Sequence, residues 1–353
     1  MAKIRRMFPG GNTSQGFFSF HDNIIGKDRN MLYILKGMPG GGKSSMMREI
    51  GERALNSGYD IEYHHCPSDP DSIDGIVING LGIGIIDGTP PHAVDPIYPG
   101  LIDKIVDLAR FIDREELKKY REQIIEAKAN NKQAYRKAFN YFKGAKCIYD
   151  EIETSNSSHV DVMKVNREIR DIIEEIFKEE KEILSDRGFK LRHLFSNAYT
   201  PDGYVDYTEF ILSDISNRYY IQGDIGTGKS KIFNRILEEV KLRDYHAEIY
   251  YNSMMPDRIE SILIFEIDTI ISANRAIEKF PHISINLNDY FDTSYIDEKD
   301  YRIYETLIER GIEGLKGAKK NHLALERAYK QTVDYESISD IREEIWKEIK
   351  TYF

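Results

Sequence analysis

The sequence predicts an α/β protein built from two tandem copies of one domain. Each copy should be a parallel sheet flanked by helices and followed by a long helical segment. Three observations carry this expectation. The chain matches itself at a fixed offset, each copy alternates short apolar runs with helical patterns, and each copy ends in a charged stretch with helical spacing. Alternation of strand and helix is the mark of βαβ units and a parallel sheet.

Residues Gly37–Gly88 align without a gap to Gly223–Asn274, with 15 identities in 52 positions. Unrelated segments would share roughly three, from average residue usage. The matched pairs include Gly37/Gly223, Lys43/Lys229, Tyr59/Tyr245, Glu62/Glu248, Pro70/Pro256 and Asp71/Asp257. The match extends upstream, pairing Phe8 with Phe195, Thr13 with Thr200 and Gly16 with Gly203. A period this long means a duplicated domain, not a solenoid. The first copy spans 1–188, with a core at 1–112 and a helical segment at 113–188. The second spans 189–353, with a core at 189–292 and a helical segment at 293–353. The junction falls near Asp186–Lys190. Duplication also predicts that the two copies pack about a pseudo-twofold axis.

Met31–Lys36 (MLYILK) reads as a short apolar strand that ends at a glycine-rich turn. A helix follows from Lys43 to Ser57, closed by Gly58 as a C-cap. Tyr59–Cys66 alternates Tyr59, Ile61 and Tyr63 with Asp60, Glu62 and His64, which predicts a partly covered strand. Asp69–Asp74 reads as a short turn or helix, and Ile76–Ile78 and Ile83–Ile86 as further strands. From Gly100 to Thr200 there is no proline and most of the stretch is helical in pattern. Val162, Val165, Ile169, Ile172, Ile176 and Ile183 predict one long amphipathic helix on a neighbour, with a break before it at Ser155–His159. Asp297–Phe353 repeats the pattern.

Composition narrows the class. The chain has 353 residues, 49 Lys plus Arg and 59 Asp plus Glu, a formal charge of 49 − 59 = −10. Such acidity argues against a nucleic-acid partner, since phosphate backbones reward Lys and Arg. Two cysteines, Cys66 and Cys147, cannot form a disulfide framework, so a reducing, cytoplasmic setting is expected. The start, MAKIRRMFPGG, lacks the apolar core of a signal peptide. The most apolar stretch, Ile73–Gly88, is too short and glycine-rich for a membrane span, so no membrane partner is expected.

The strongest chemical signal is Gly37-Met38-Pro39-Gly40-Gly41-Gly42-Lys43-Ser44, which fits G-x-x-x-x-G-K-[ST] between a strand and a helix. Glycines let backbone N–H groups curl around phosphate oxygens with no Cβ in the way. The helix N-terminus adds its positive dipole end. Lys43 would reach the β- and γ-phosphates and the Ser44 hydroxyl would ligate Mg²⁺. The second copy repeats the motif in register as Gly223-Asp224-Ile225-Gly226-Thr227-Gly228-Lys229-Ser230, with Ser230 as its metal ligand. Ser45 and Lys231 complete the two nucleotide-contacting runs. Such a loop needs an acid to organise Mg²⁺, and Asp87, at the end of LGIGIID, is the candidate. The alternative is a turn aspartate before Gly88. In the second copy Ala273 stands at this position, and Asp268 lies five residues too early. The first site is therefore expected to hydrolyse with Lys43 and Asp87, and the second mainly to bind.

Other polar residues cluster near the first site. His64, His65 and Cys66 precede Asp69, Asp71 and Asp74, and His92 follows. They fit a metal cluster, a substrate-facing set or ordinary strand-end packing, and no compact ligand spacing decides among these. Asp71 and Asp257 read first as helix caps. The loop Asp87–Gly100 holds Pro90, Pro91, Pro96 and Pro99 and reads as a specificity loop or lid. The second copy shortens this loop by seven residues (offset 186 before, 179 after). Arg5, Arg6, Arg48, Arg110 and Arg192 are open candidates for a charge on the γ-phosphate, and the sequence does not choose among them.

FFSFHDNIIG, ILKGMPGGGKSSMMREI, YHHCPSDPDSIDG, IIDGTPPHAVDPIYPG and RHLFSNAYTPDG together resemble a bacterial family of paired P-loop ATPases and nucleotide-kinase-like proteins. The resemblance covers nearly the whole chain. It implies tandem P-loop NTPase domains and ATP binding with Mg²⁺, and it carries Gly37–Ser44, Gly223–Ser230 and Asp87 into nucleotide roles. Gly41 departs from the threonine or serine common at that place, which Thr227 keeps. The leading expectation is an ATPase whose long helices move with nucleotide state. A kinase for a nucleotide or small metabolite is the first alternative. A non-catalytic ATP sensor, with the helical segments contacting an unidentified protein, is the second. The absence of an [NT]-K-x-D motif argues against a GTPase, and that of an LSGGQ-like signature against a transporter ATPase.

Overall fold

The computed structural model describes residues 2–184 and 188–353. The expected junction at Asp186 lies outside the described residues. The first half holds β1 (Ile4–Met7), β2 (Gly10–Thr13), β3 (Gly16–Ser19), β4 (Met31–Lys36), α1 (Lys43–Asn56), β5 (Ile61–Cys66), β6 (Asp69–Ile78), β7 (Ile83–Asp87), β8 (Asp103–Asp107), α2 (Arg114–Lys118), α3 (Arg121–Ser157) and α4 (Val162–Ile176). The second holds β9 (Leu191–Leu194), β10 (Asn197–Thr200), β11 (Gly203–Asp206), α5 (Glu209–Leu212), β12 (Asn217–Gln222), α6 (Lys229–Leu242), β13 (Ala247–Tyr251), β14 (Ile259–Ile264), β15 (Thr269–Ser272), β16 (Ile283–Asn286), α7 (Glu298–Lys330) and α8 (Tyr335–Ile349).

The fold is α/β with two six-stranded sheets. Their orders are β1-β5-β6-β7-β4-β8 and β9-β13-β14-β15-β12-β16, the same topology twice. Both sheets are mixed rather than wholly parallel. β6 runs against β5 and β7, and β14 runs against β13 and β15, while the remaining pairings are parallel. The reason is local. Only Pro67 and Ser68 separate β5 from β6, and so short a link permits only an antiparallel hairpin. The stretch Asp69–Asp74 is consequently strand, not the turn or helix its composition predicts.

Each sheet buries an apolar helix. α1 presses Met46, Met47, Ile50 and Ala54 onto Tyr33, Leu35, Ile61, Ile76 and Ile83. It ends one residue short of the expected Ser57, and Gly58 closes it at φ +96°. The terminal helices are exchanged between the halves. Ile338, Ile345 and Ile349 of α8 complete the core around the first sheet. Ile172 and Ile176 of α4 complete the core around the second, beside Ile232, Phe233 and Ile236 of α6. Asp161 and Asp334 cap the two exchanged helices by accepting backbone N–H groups of their first turns. The heptad-like run does not make one helix as far as Ile183: α4 stops at Ile176, and Ile183 is exposed. The break before it falls at 158–161, overlapping the expected Ser155–His159.

The long helices are α3, of 37 residues, and α7, of 33, which pack against each other. At 1.5 Å per residue α3 is about 55 Å long. Small residues set their close approach. A Cβ on Gly311 would run into the Phe142 ring, and one on Gly314 would meet the Ala138 backbone.

The halves meet reciprocally. Phe8 N–H donates to the Phe195 carbonyl at 2.9 Å and Phe195 N–H returns to the Phe8 carbonyl at 3.0 Å. These are paired positions of the repeat, so the local symmetry is twofold. Beside them Arg5, Glu62, Arg192 and Glu248 form a buried ion cluster. That cluster corrects the reading of β5 as partly covered. Glu62, His64 and His65 are buried because the second half lies against them.

Candidate functional site

The two glycine loops stand at corresponding strand–helix junctions. Loop one joins β4 to α1, and loop two joins β12 to α6. Gly40 and Gly42 have φ of +71° and +77°, and Gly226 and Gly228 have +86° and +109°. Residues with a Cβ are strained there, which fixes glycine at these positions.

Both lysines fold back onto their own loops. Lys43 is buried, and its Nζ donates to the Met38 carbonyl at 2.9 Å. The same Nζ lies 3.5 Å from Asp87 Oδ2. Lys229 Nζ donates to the carbonyls of Gly223 and, at 2.8 Å, Asp224. Burial pulls its pKa down to about 8. Asp87 ends β7, next to β4, and pairs in register with Leu35. Its Oδ1 accepts from Thr89 N at 2.9 Å and Thr89 Oγ1 at 2.7 Å. Ser44 Oγ accepts from Ile73 N at 3.0 Å. Ser45 lines the cavity beside loop one, and Ser230 and Lys231 lie in the first turn of α6. In the second half Ala273 follows β15 where Asp87 ends β7. Asp268 sits at the opposite end of β15, at φ +45°, where it accepts from Ser216 N.

Each loop is covered by the other half of the chain. Tyr335 Oη, at the start of α8, donates to the Gly40 carbonyl at 2.8 Å. Asn156 Nδ2, at the end of α3, donates to the Ile225 carbonyl at 2.8 Å. Ile338 packs over Gly42 as Val165 packs over Gly228. Loop one opens on a cavity of about 1460 Å³ that extends to α3 and α7. Arg48, Lys128, Lys132, Arg136, Lys143 and Lys330 line it. Asp69, Asp71, Asp74, Asp87 and Glu326 line it too, so the positive excess lies on the α3 wall, where Lys128, Lys132, Arg136 and Lys143 favour an anionic occupant.

The remaining candidates sort themselves by contact. Arg5 and Arg192 are committed to Glu62 and Glu248 at the interface. Arg6 contacts His65 Nε2 at 2.8 Å, and Arg110 stacks on Phe111. Only Arg48 of the five lines the cavity, and it also donates to the Asp71 carbonyl. His64 contacts Glu62 and Arg192 and is strand packing. Asp71 is an exposed residue within β6 and Asp257 lies in a turn, so neither caps a helix. The proline loop is tethered, not free. Lys36 Nζ donates to the Gly88 and Val94 carbonyls, and Asp103 accepts from Ile97 N and Tyr98 N.

Asp74 and His92 come together with a residue the sequence reading passed over, His21. Asp74 Oδ2 lies 3.5 Å from His21 Nε2, and Oδ1 lies 3.7 Å from His92 Nε2. All three are buried. Burial lowers the His21 imidazole.

The repeat places Thr208 opposite His21 and Glu260 opposite Asp74. Glu260 sits among amides: Asn197 Nδ2 donates to it, and Asn274 Nδ2 lies 3.5 Å away. Burial, with Asp206 nearby, raises Glu260 to about 7. Between about pH 4.5 and 7 the folded chain keeps this proton and the unfolded chain releases it. Stability from this group is therefore full below the unfolded value and is lost as pH rises through 7. Glu260→Gln is expected to stabilise the protein by about 1–2 kcal/mol at pH 8 and to change little at pH 4, measured by urea denaturation at both.

Among the described residues no helix is long and apolar enough to cross a membrane. No family model, curated protein or solved structure matches the chain.

Proposed function

We propose that the protein is a P-loop ATPase with duplicated ATP sites, the first hydrolytic and the second mainly binding. The observation that carries this reading is the asymmetry of the two loops: Lys43 faces the Asp87 carboxylate at 3.5 Å, and Lys229 has Ala273 where that acid would stand. The residues present fit Mg-ATP. Backbone N–H groups of 37–44 would hold phosphate oxygens, and Ser44 with Asp87 would hold Mg²⁺. Bound Mg²⁺ would neutralise charge on the phosphates. Lys43 would leave Met38 and Asp87 for the phosphates, the stronger partner. This is the chemistry of the paired ATPases the sequence resembles.

The test is phosphate release from Mg-ATP by the full chain. Lys43→Ala is expected to abolish turnover, while Lys229→Ala should lower bound nucleotide by one site and keep most turnover. Equal loss in both variants would overturn the division of labour. A second reading, phosphoryl transfer to an acceptor, is favoured by the breadth of the basic cavity, which exceeds what a triphosphate needs. It expects slow release on ATP alone and acceleration by the acceptor.

A further inference from the structure

His21, Asp74 and His92 form a cluster that the nucleotide reading does not use. One ligand atom of each lies within 4.8 Å of the others. Asp74 is 4% exposed and His21 also 4%, yet Asp74 Oδ2 and His21 Nε2 have no hydrogen-bond partner among the described residues. Unsatisfied buried polar atoms are costly, so a native chain that keeps two of them side by side needs a reason.

The outer contacts of the rings sharpen the point. His92 Nδ1 lies 3.0 Å from the Asp87 carbonyl oxygen, which can only accept. Nδ1 therefore carries the hydrogen, and in the neutral ring Nε2 presents a bare lone pair to a carboxylate oxygen. His21 Nδ1 is engaged by Ser19 Oγ at 2.9 Å, so its Nε2 also points inward. Fixing Nδ1 by an outer hydrogen bond is how proteins orient metal-bound imidazoles. The inward separations, 3.5 and 3.7 Å, are too long for hydrogen bonds. They are close to the spacing of two ligands about one ion, roughly 3–3.5 Å for bonds near 2.1 Å. The His21 and His92 rings stack with centroids 4.2 Å apart and planes 11° from parallel, so one ring turns to bring both lone pairs onto a single ion.

We propose that His21, Asp74 and His92 bind a divalent first-row transition ion in the wall of the cavity beside loop one, separate from any Mg²⁺ that accompanies nucleotide. Two imidazoles and one carboxylate suit Zn²⁺, Mn²⁺, Fe²⁺ or Co²⁺, whereas Mg²⁺ and Ca²⁺ prefer oxygen alone. Three protein ligands leave coordination positions open, and Asp74 and His92 both line the cavity. An oxygen-bearing anion held by the basic lining would complete the shell. The second half is the internal control. Thr208 and Glu260 replace His21 and Asp74, His92 falls in the loop that half shortens, and amide donors surround the acid instead.

The experiment uses the full chain without nucleotide. Chelator-treated protein is dialysed against Zn²⁺, Mn²⁺ or Co²⁺, and retained metal is counted by mass spectrometry. Wild type and Ser44→Ala are expected to retain about one ion per chain, and Asp74→Asn and His21→Gln to lose at least tenfold in affinity. Circular dichroism establishes that each variant is folded. The Co²⁺-loaded wild type should also show visible absorption from nitrogen and oxygen ligands, which does not depend on any variant. Wild type that retains no more metal than Asp74→Asn would overturn the proposal. So would loss of the ion in Ser44→Ala, which would place it at the glycine loop.

Discussion

Asp87→Asn is expected to lower phosphate release from Mg-ATP by a hundredfold or more, while nucleotide still binds. The substitution keeps the shape of the side chain and removes its charge. The Asp87 carboxylate lies beside Lys43 and is pinned by the Thr89 N–H and hydroxyl. Removing one preorganised electrostatic group from such a site costs on the order of 10²–10³ in rate. Binding rests chiefly on backbone N–H groups of the loop, which the variant leaves in place. Single-turnover phosphate release, paired with calorimetric ATP binding, separates the two quantities. Unchanged turnover would reduce Asp87 to a turn residue and remove the asymmetry on which the functional reading stands.

The largest stability effect is expected at Arg192. Its Nη2 lies 2.7 Å from Glu62 and its Nη1 lies 2.9 Å from Glu248. The same guanidinium donates to the carbonyls of Asn23 and Ile24. Arg192→Ala would leave two buried carboxylates with Arg5 as the one guanidinium between them among the described residues, beside the Tyr250 hydroxyl and His64. Breaking a buried charge pair in this way costs about 3–5 kcal/mol. The effect has a pH signature. Burial opposes ionisation of Glu62 and Glu248, but Arg192 and Arg5 outweigh it and hold both below the ordinary value of 4.5. Folded carboxylates with depressed values stabilise above the unfolded pKa and lose that contribution as pH falls through the folded ones. Without Arg192 both values should rise, and acid unfolding should begin at higher pH. Urea titrations between pH 3 and 8 on both proteins measure this directly.

The glycine loops, their strand and helix, and the position of Asp87 were legible in sequence because each rests on contiguous residues. Met31–Lys36 is a continuous apolar run, and Lys43–Asn56 keeps helical spacing. The duplication was legible too, and the twofold packing it predicted is seen in the reciprocal Phe8 and Phe195 contacts. The end of β6, Ile76–Ile78, was legible, but its first half was hidden because Asp69, Pro70, Asp71 and Asp74 carry turn chemistry, and only pairing with β5 overrides it. β8 was hidden within a stretch read as helical. The exchange of α4 and α8 leaves no local trace, since an apolar helical face does not name the surface that covers it. His21 escaped notice because it reaches Asp74 and His92 only through the fold. The repeat alignment held a usable signal: Thr208 in place of His21 and Glu260 in place of Asp74 change together.

The crossing of α4 and α8 bears on how such a chain could be taken apart. A single half, released alone, would lack the helix that finishes its own sheet and would carry one fitted to another. Two identical copies could repair each other only by meeting in solution, a second-order event that dilution defeats. Joining them end to end makes the meeting unimolecular, with an effective concentration set by the connecting segment. The duplicated polypeptide thus behaves as a covalently tethered swapped dimer whose assembly no longer depends on abundance. Once tethered, its two sites were free to diverge, because neither copy had to remain self-complementary.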